Sequence, residues 1–460
     1  MNDYRQTMTK LTCLVVVFIV FTGLASNPLE CTRFTGLASN TPESARSADA
    51  FVDSIGTNIH VGYVGTVYDS SWKDVVKPKL DELGVRHVRD GAHLSNSRAH
   101  NSVVYDRYRE LAALGIRANL IVDPRAENLR SIDEEKIRRI AEMAEGSLES
   151  FEGPNEYDHS VDGDWAKLLR AYQRNLYAAT KNNPSTSSLP VIGPSFGSAK
   201  SVNAVSNLCD SVDYDNMHNY FSARHPGTSG WGAGGYGSIT YNIDLAKKMC
   251  GSKPVMSTET GYHNAVGSTS GHSGAPEAVV GKYMPRVFLE HFNRGISRTY
   301  SYEFIDLYSK AAAGSNFGLL RNDGTEKPAY SALRNLIALL EDPGPEFDPV
   351  SLKYSLGGDT KNIHHTLLQK RDGRFYLVLW LEVSAYNPNT EQNLSVPPQR
   401  VRLELDTPIE EAKTYLPNSS TAPTKRYAKP TQLALEVPDY PLVVELTPDT
   451  VTSEPTQHRH

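Results

Sequence analysis

Phe151-Glu-Gly-Pro-Asn-Glu-Tyr157, set beside Pro254-Val-Met-Ser-Thr-Glu-Thr-Gly-Tyr262, decides the fold. In each stretch a short run of strand character ends on a glutamate, Glu156 in one and Glu259 in the other, with turn residues following. About a hundred residues separate the two, and a parallel barrel would unite them because every strand delivers its last residue to the same rim.

The flanking pattern agrees. From about residue 50 to 340, apolar runs end near His60, Arg89, Val122, Gly153, Gly193, Met217, Ser257 and Tyr302. Amphipathic stretches lie between them, at 72–83, 105–114, 133–144, 165–179, 241–249, 279–293 and 330–340. In the first, Val75, Val76, Leu80 and Leu83 share one face of a 3.6-residue period. Eight strands alternating with helices predict a parallel sheet, and the count favours a closed (β/α)8 TIM barrel over residues 49–342. An open doubly wound sheet is the structural competitor. It would carry a glycine-rich phosphate turn after the first strand, and Ile59-His-Val-Gly62 is not one.

Beyond Pro343-Gly-Pro-Glu-Phe-Asp-Pro349 the texture becomes β-type, with runs at 363–369, 374–383, 400–405 and 442–446. Arg371-Asp-Gly-Arg374 is a hairpin turn signal. Leu377, Leu379 and Leu381 alternate with Val378, Trp380 and Glu382, so that strand should be covered on both faces. Residues 343–447 therefore read as a small antiparallel β-sandwich domain, and 448–460 as a disordered tail.

Composition excludes several classes. Hydrophobic residues make up 39% of the 460, enough for a buried core, and the net charge of −6 gives no electrostatic footprint for nucleic acid. Arg5 and Lys10 precede an apolar stretch from Leu11 to about Ala25, so residues 1–48 read as a signal peptide and leader. The expected location is secreted, cell-surface or periplasmic, with no membrane contact beyond an uncleaved N-terminal anchor. A monomer is expected. Cys209 and Cys250 each lie nine residues before a strand-end residue, His218 and Glu259 respectively. An exported protein permits a disulfide between them, and two unrelated buried cysteines are the other reading.

Two carboxylates across a rim are the minimal equipment for cleaving a glycosidic bond, because an oxocarbenium-like transition state needs a proton donor and an anion at the anomeric carbon. The constellation resembles the clan A glycoside hydrolases. Asn155-Glu156 closing the fourth strand is similar to that clan's Asn and acid/base pair, and Glu259 closing the seventh to its nucleophile. Arg89 on the second strand, and His218 with Tyr220 on the sixth, match positions beside the nucleophile. Gly318-Leu-Leu320 and Asp323-Gly-Thr-Glu-Lys-Pro-Ala-Tyr330 resemble the segment after the eighth strand, which here lacks the clan's usual Trp. The resemblance implies a retaining glycosidase with a carbohydrate substrate and no cofactor.

On this reading Glu156 is a protonated acid and Glu259 an anion held by Arg89 and Tyr220. Asn155, Arg89, His218, Tyr220, Trp231, Tyr302 and Glu303 are candidate substrate-binding residues. Trp231 and Tyr236 would be presented by the glycine-rich loop Trp231-Gly-Ala-Gly-Gly-Tyr-Gly237. Structural readings stand beside these: Arg89 could pair with Asp90, His218 could be a core histidine, and Glu303 could pair with Arg298. No metal site is expected, since His364-His365 lies in a strand where neighbours face opposite ways. The rival function is a silent carbohydrate-binding barrel at the cell surface, and retention of both acids argues against it.

Overall fold

The computed structural model describes residues 42–449 apart from 160–162, 206, 269–270 and 310–311. The proposed signal peptide lies outside the described residues, as does the tail from 450. Among the described residues no helix is long and apolar enough to cross a membrane.

The eight parallel strands are β1 (Ile55–Asn58), β2 (His87–Gly91), β3 (Arg117–Ile121), β4 (Leu148–Glu152), β5 (Val191–Ile192), β6 (Asp215–Tyr220), β7 (Val255–Gly261) and β8 (Thr299–Ser301). They pair in sequence order, and β8 returns to β1. Between β5 and β6 a single parallel bridge, Ile192 with Tyr214, makes the contact, so the barrel is nearly closed. The helices fall where the periodicity puts them, including Lys77–Leu83, Arg98–Ala113, Glu134–Met143, Trp165–Lys181, Glu277–Asn293 and Pro328–Leu340. Val76, Leu80 and Leu83 are buried on the barrel wall, as their spacing requires. Ser97, Asp133 and Ser238 cap helix starts by accepting from the backbone N–H three residues on.

β6 ends at Tyr220, as expected, while β7 runs past Glu259 to Gly261, since the two strands pair to their last residues. Met217 pairs with Ser257 but His218 with Glu259, so Thr258 is an extra residue in β7. This bulge lets the consecutive side chains of Thr258 and Glu259 both point into the barrel, which a regular strand forbids.

In the C-terminal region a three-stranded antiparallel sheet (Tyr354–Gly358, Gln399–Leu405, Gln432–Val437) faces a six-stranded one. Leu367, Leu377, Leu379, Val401, Leu403, Leu435 and Val444 fill the space between them. Tyr376, Val378 and Trp380, on the opposite face of Phe375–Leu381, join the barrel's core instead. That strand is buried on both faces, as its alternation predicted, and the turn at 371–374 closes its hairpin with Ile363–Gln369. Glu43–Ser47, placed with the leader by sequence, supplies two short strands. Glu43–Ser44 pairs with Ser351–Leu352, and Arg46–Ser47 runs parallel at the edge of the six-stranded sheet. Strands this short carry too little pattern to be read from sequence.

Buried ion pairs join the two layers. Arg286, 0% exposed, binds Glu382 at the end of the doubly buried strand, and Glu382 also accepts from His225 Nδ1 (2.8 Å), Gly227 N (2.8 Å) and Trp380 Nε1 (2.7 Å). The sandwich thereby holds the loop that follows β6.

Cys209 and Cys250 form a disulfide below β6 and β7, with Cα atoms 4.7 Å apart. It closes a loop of 41 residues, for which chain entropy gives about 4 kcal/mol of stabilisation. Cys250→Ser should lower the denaturation midpoint of the oxidised protein, and reductant should lower the parent's to match. Equal free-thiol counts in the denatured protein with and without reductant would contradict the bridge.

Candidate active site

A polar layer crosses the barrel at the strand ends and is organised by Arg89 (2% exposed). Its Nε and Nη2 donate to the two oxygens of Glu152 at 2.9 and 2.7 Å, while Nη1 donates to Glu259 Oε1 at 2.7 Å and to Asn58 Oδ1 at 2.8 Å. Glu152, fully buried, also accepts from Asn119 Nδ2 (2.6 Å) and Asn216 Nδ2 (3.1 Å). Two flanking carboxylates hold the Arg89 guanidinium charged against the effect of burial. Arg89 thus joins β4 to β7 and does not pair with Asp90.

Asn155 and Glu156 follow the turn at Gly153, where a side chain would sit 2.0 Å from Gln173 Oε1. Asn155 Oδ1 accepts from Arg89 Nη2 (2.7 Å) and Ser195 Oγ (3.2 Å). An arginine can only donate, so the amide orientation is fixed with its oxygen toward Arg89. Glu156 takes a left-handed φ of 42°, held by a 3.1 Å bond from its N–H to Ser195 O. Such a backbone costs about 1–3 kcal/mol in a residue with a side chain and clusters at functional positions.

Glu259 Oε2 accepts from Tyr220 OH at 2.7 Å. Burial and the Glu259 charge push the Tyr220 hydroxyl far above its ordinary value, so it remains a donor. His218 lies between the acids, its Nδ1 2.8 Å from Glu156 Oε1 and 3.5 Å from Glu259 Oε2. One carboxylate oxygen of Glu156 and one of Glu259 come within 4.8 Å of each other. Glu156, His218, Tyr220 and Glu259 line a cavity of about 290 Å³ with His159, His272, Tyr236 and Tyr241.

Several expectations change. Burial raises the Glu156 carboxyl, but the His218 hydrogen bond and charge outweigh it and hold the group at about 2. Beside His218, Glu156 is therefore held as an anion, where an apolar setting had suggested a protonated acid. Burial lowers His218, yet the charge of Glu259 and the bond to Glu156 carry it above its ordinary value. Trp231 does not line the cavity. It packs under Gly237, edge-on to Tyr236 and beneath Arg224 (4.4 Å), and Tyr236 is presented instead. Glu303 is 0% exposed and meets His60 Nε2 at 3.1 Å, not Arg298, which pairs with Asp53 and Glu149. Tyr302 stands edge-on to His60 and Phe317 on the β1–β8 side of the rim, where burial and the charges of Glu303 and Glu259 raise its hydroxyl.

Among the described residues two groups, Glu156–His218–Glu259 and Glu290–His364–Glu382, bring possible metal-ligating atoms within 4.8 Å. Both are already occupied by hydrogen bonds, from Arg89 and Tyr220 in the first and from Arg286 and Arg294 in the second. His364 turns to Glu290 and His365 the opposite way, to Glu43.

Sequence reasoning missed Glu152, Asn58, Asn119, Asn216 and Thr258. Their signal was a polar residue within or at the end of an otherwise apolar strand run.

No protein-family model and no curated protein sequence matches the chain. Solved structures do. A family 39 glycoside hydrolase from the gut symbiont Bacteroides cellulosilyticus WH2 superposes with a TM-score of 0.59 at 13% identity, over 87% of this chain and 81% of that one. The exo-β-1,4-mannosidase Op5Man5 from Opitutaceae bacterium strain TAV5 matches at 14% identity and a TM-score of 0.46, over 63% of this chain and 60% of its own. A GH5_18 protein from Bifidobacterium longum subsp. infantis gives 14% and 0.45, over 63% and 79%. The first of these carries the comparison: the barrel with its C-terminal β-domain is a fold this chain shares with a glycoside hydrolase.

Proposed function

We propose that the chain is an exported retaining glycoside hydrolase acting on β-linked carbohydrate, with Glu259 as nucleophile and Glu156 as acid/base. The observation that carries this reading is the approach of the two carboxylates to within 4.8 Å, with Glu259 clamped by Arg89 and Tyr220. Retaining enzymes hold their carboxyl groups about 5–5.5 Å apart, whereas inverting enzymes leave about 6.5–9.5 Å for a water. Glu259 attacks the anomeric carbon, Glu156 protonates the departing oxygen, and the same carboxylate then draws a proton from the water that releases the sugar. Asn155 would hold the sugar 2-hydroxyl through its NH2, a bond that strengthens as charge develops. Export is supported by the apolar N-terminal run and by the disulfide.

Proton NMR of the first-formed product, recorded before mutarotation, tests the stereochemistry. A β-glycoside should release the β-anomer first. Release of the α-anomer would make the enzyme inverting, and no cleavage across a panel of β-linked polysaccharides and aryl glycosides would remove the reading.

A further inference from the structure

We infer that His218 holds the proton that Glu156 delivers to the leaving oxygen, so that the acid of this site is a hydrogen-bonded pair and not a lone carboxyl. This rests on the glycosidase reading above and deepens it.

The hydrogen-bond chain behind His218 fixes where its protons lie. Asn216 Nδ2 donates to Gly193 O (3.0 Å) and Glu152 Oε1 (3.1 Å), which leaves Asn216 Oδ1 as an acceptor. Thr258 Oγ1 lies 2.8 Å from that oxygen and 3.1 Å from Glu152 Oε1, both acceptors, and its one proton is directed to them. The same hydroxyl oxygen then accepts from His218 Nε2 at 3.2 Å, so Nε2 carries a proton. Nδ1 faces the carboxyl groups of Glu156 and Glu259, and the bond to His218 holds Glu156 ionised, so that it accepts from Nδ1. A second proton on Nδ1 serves both, and the ring is an imidazolium.

The surrounding charges favour this state. Glu156 and His159 come from the loop after β4, Glu259 from β7, Arg89 from β2, Tyr220 from the ring's own strand, and His272 from the segment after β7. Glu156 and Glu259 are the two groups closest to Nδ1, while Arg89 is engaged by Glu152 and Glu259.

The step balances. As Glu259 bonds to the anomeric carbon and the glycosidic C–O bond breaks, the His218 Nδ1 proton passes to the Glu156 carboxylate, which gives it to the leaving oxygen. In the second step water bonds to the anomeric carbon, the Glu259 ester C–O bond breaks, and the water's proton returns through Glu156 to Nδ1. Forming the covalent intermediate removes the Glu259 charge, which weakens the hold of the site on the Nδ1 proton when it must leave. His218 acts through Glu156 and is a positioning residue for the proton.

His218→Gln is the discriminating variant, because its amide can still donate to Glu156 Oε1 yet has no proton to give. Activity of the parent toward glycosides with poor leaving groups should persist to alkaline pH, reporting the pair. In the variant the basic limb should move toward acid by more than about one pH unit, to that of a carboxyl alone. Dinitrophenyl glycosides, whose leaving group needs no proton, should be slowed far less than glycosides with poor leaving groups. A merely structural role would lower both substrate classes together and leave the basic limb in place, and that result overturns the inference. Ring 15N NMR of the parent at pH 7, assigned by difference from the variant, is independent of turnover. Both nitrogens of His218 should be protonated, and an unprotonated Nδ1 overturns it equally. If no glycoside is cleaved, the proposed function fails while the NMR result still reports the position of the proton.

Discussion

Glu259→Ala is expected to lower turnover by about 10⁵-fold on every glycoside the parent cleaves, because the proposed double displacement then has no nucleophile to form its covalent intermediate. A loss of that size is about 7 kcal/mol of barrier, beyond what positioning alone supplies at one side chain. Leaving-group quality should not rescue it. Glu156→Ala should behave differently. On poor leaving groups it should lose about 10²–10⁴-fold, the usual worth of general acid catalysis, and on dinitrophenyl glycosides far less. Added azide should occupy the space left by the carboxylate and accelerate turnover, giving a glycosyl azide of retained configuration. Steady-state rates of the two variants, with and without azide, make the comparison. Identical responses would mean that the two roles are wrongly assigned, and full activity in either variant would take that residue out of the chemistry.

The barrel was legible because each of its parts satisfies a local rule. Parallel strands buried on both faces read as short apolar runs, and helices such as Trp165–Lys181 show one apolar face. Glu156 and Glu259 were legible for the same reason, as acids that end apolar runs where apolar residues would cost nothing. The Phe375–Leu381 strand gave itself away by having no polar face at all.

What stayed hidden depends on three-dimensional pairing. Glu152 sits four residues before Glu156, inside the run taken for an apolar strand, and only the guanidinium of Arg89 makes its burial tolerable. The bulge at Thr258 has no signature in one strand, since it exists only relative to β6 and β8. Without it, the inward-facing positions of β7 would alternate and Thr258 would face outward, away from His218. The protonation of Glu156 was misjudged for a related reason. Gly-Pro-Asn suggests an apolar surrounding, and the imidazole that determines its charge comes from residue 218. Trp231 was misplaced because the glycines that frame it permit several loop shapes, and its packing against Arg224 and Gly237 selects one.

Arg89→Met should destabilise the fold and the chemistry together, and the two effects can be separated. The substitution keeps most of the side-chain volume but removes the cation shared by Glu152 and Glu259, and with it five hydrogen bonds. Glu152, at 0% exposure, is left as a buried carboxylate whose partners are neutral side chains, and breaking a buried pair from one side costs about 3–5 kcal/mol. Removing the charge of Glu152 as well relieves that penalty, since no unpaired buried charge remains on β4. The double variant Arg89→Met/Glu152→Gln should therefore recover about 2 kcal/mol or more of the loss in urea denaturation, a coupling of the size expected for residues in contact. Activity should not recover with it. Glu259 has still lost its guanidinium and Asn155 the donor that fixes its amide, so the formation of the glycosyl-enzyme stays slow in both variants. If stability and activity return in parallel, Arg89 serves only to hold the barrel together, and the clamp on the nucleophile has no separate catalytic weight. If neither variant is destabilised, the Arg89–Glu152 pair is not buried as described.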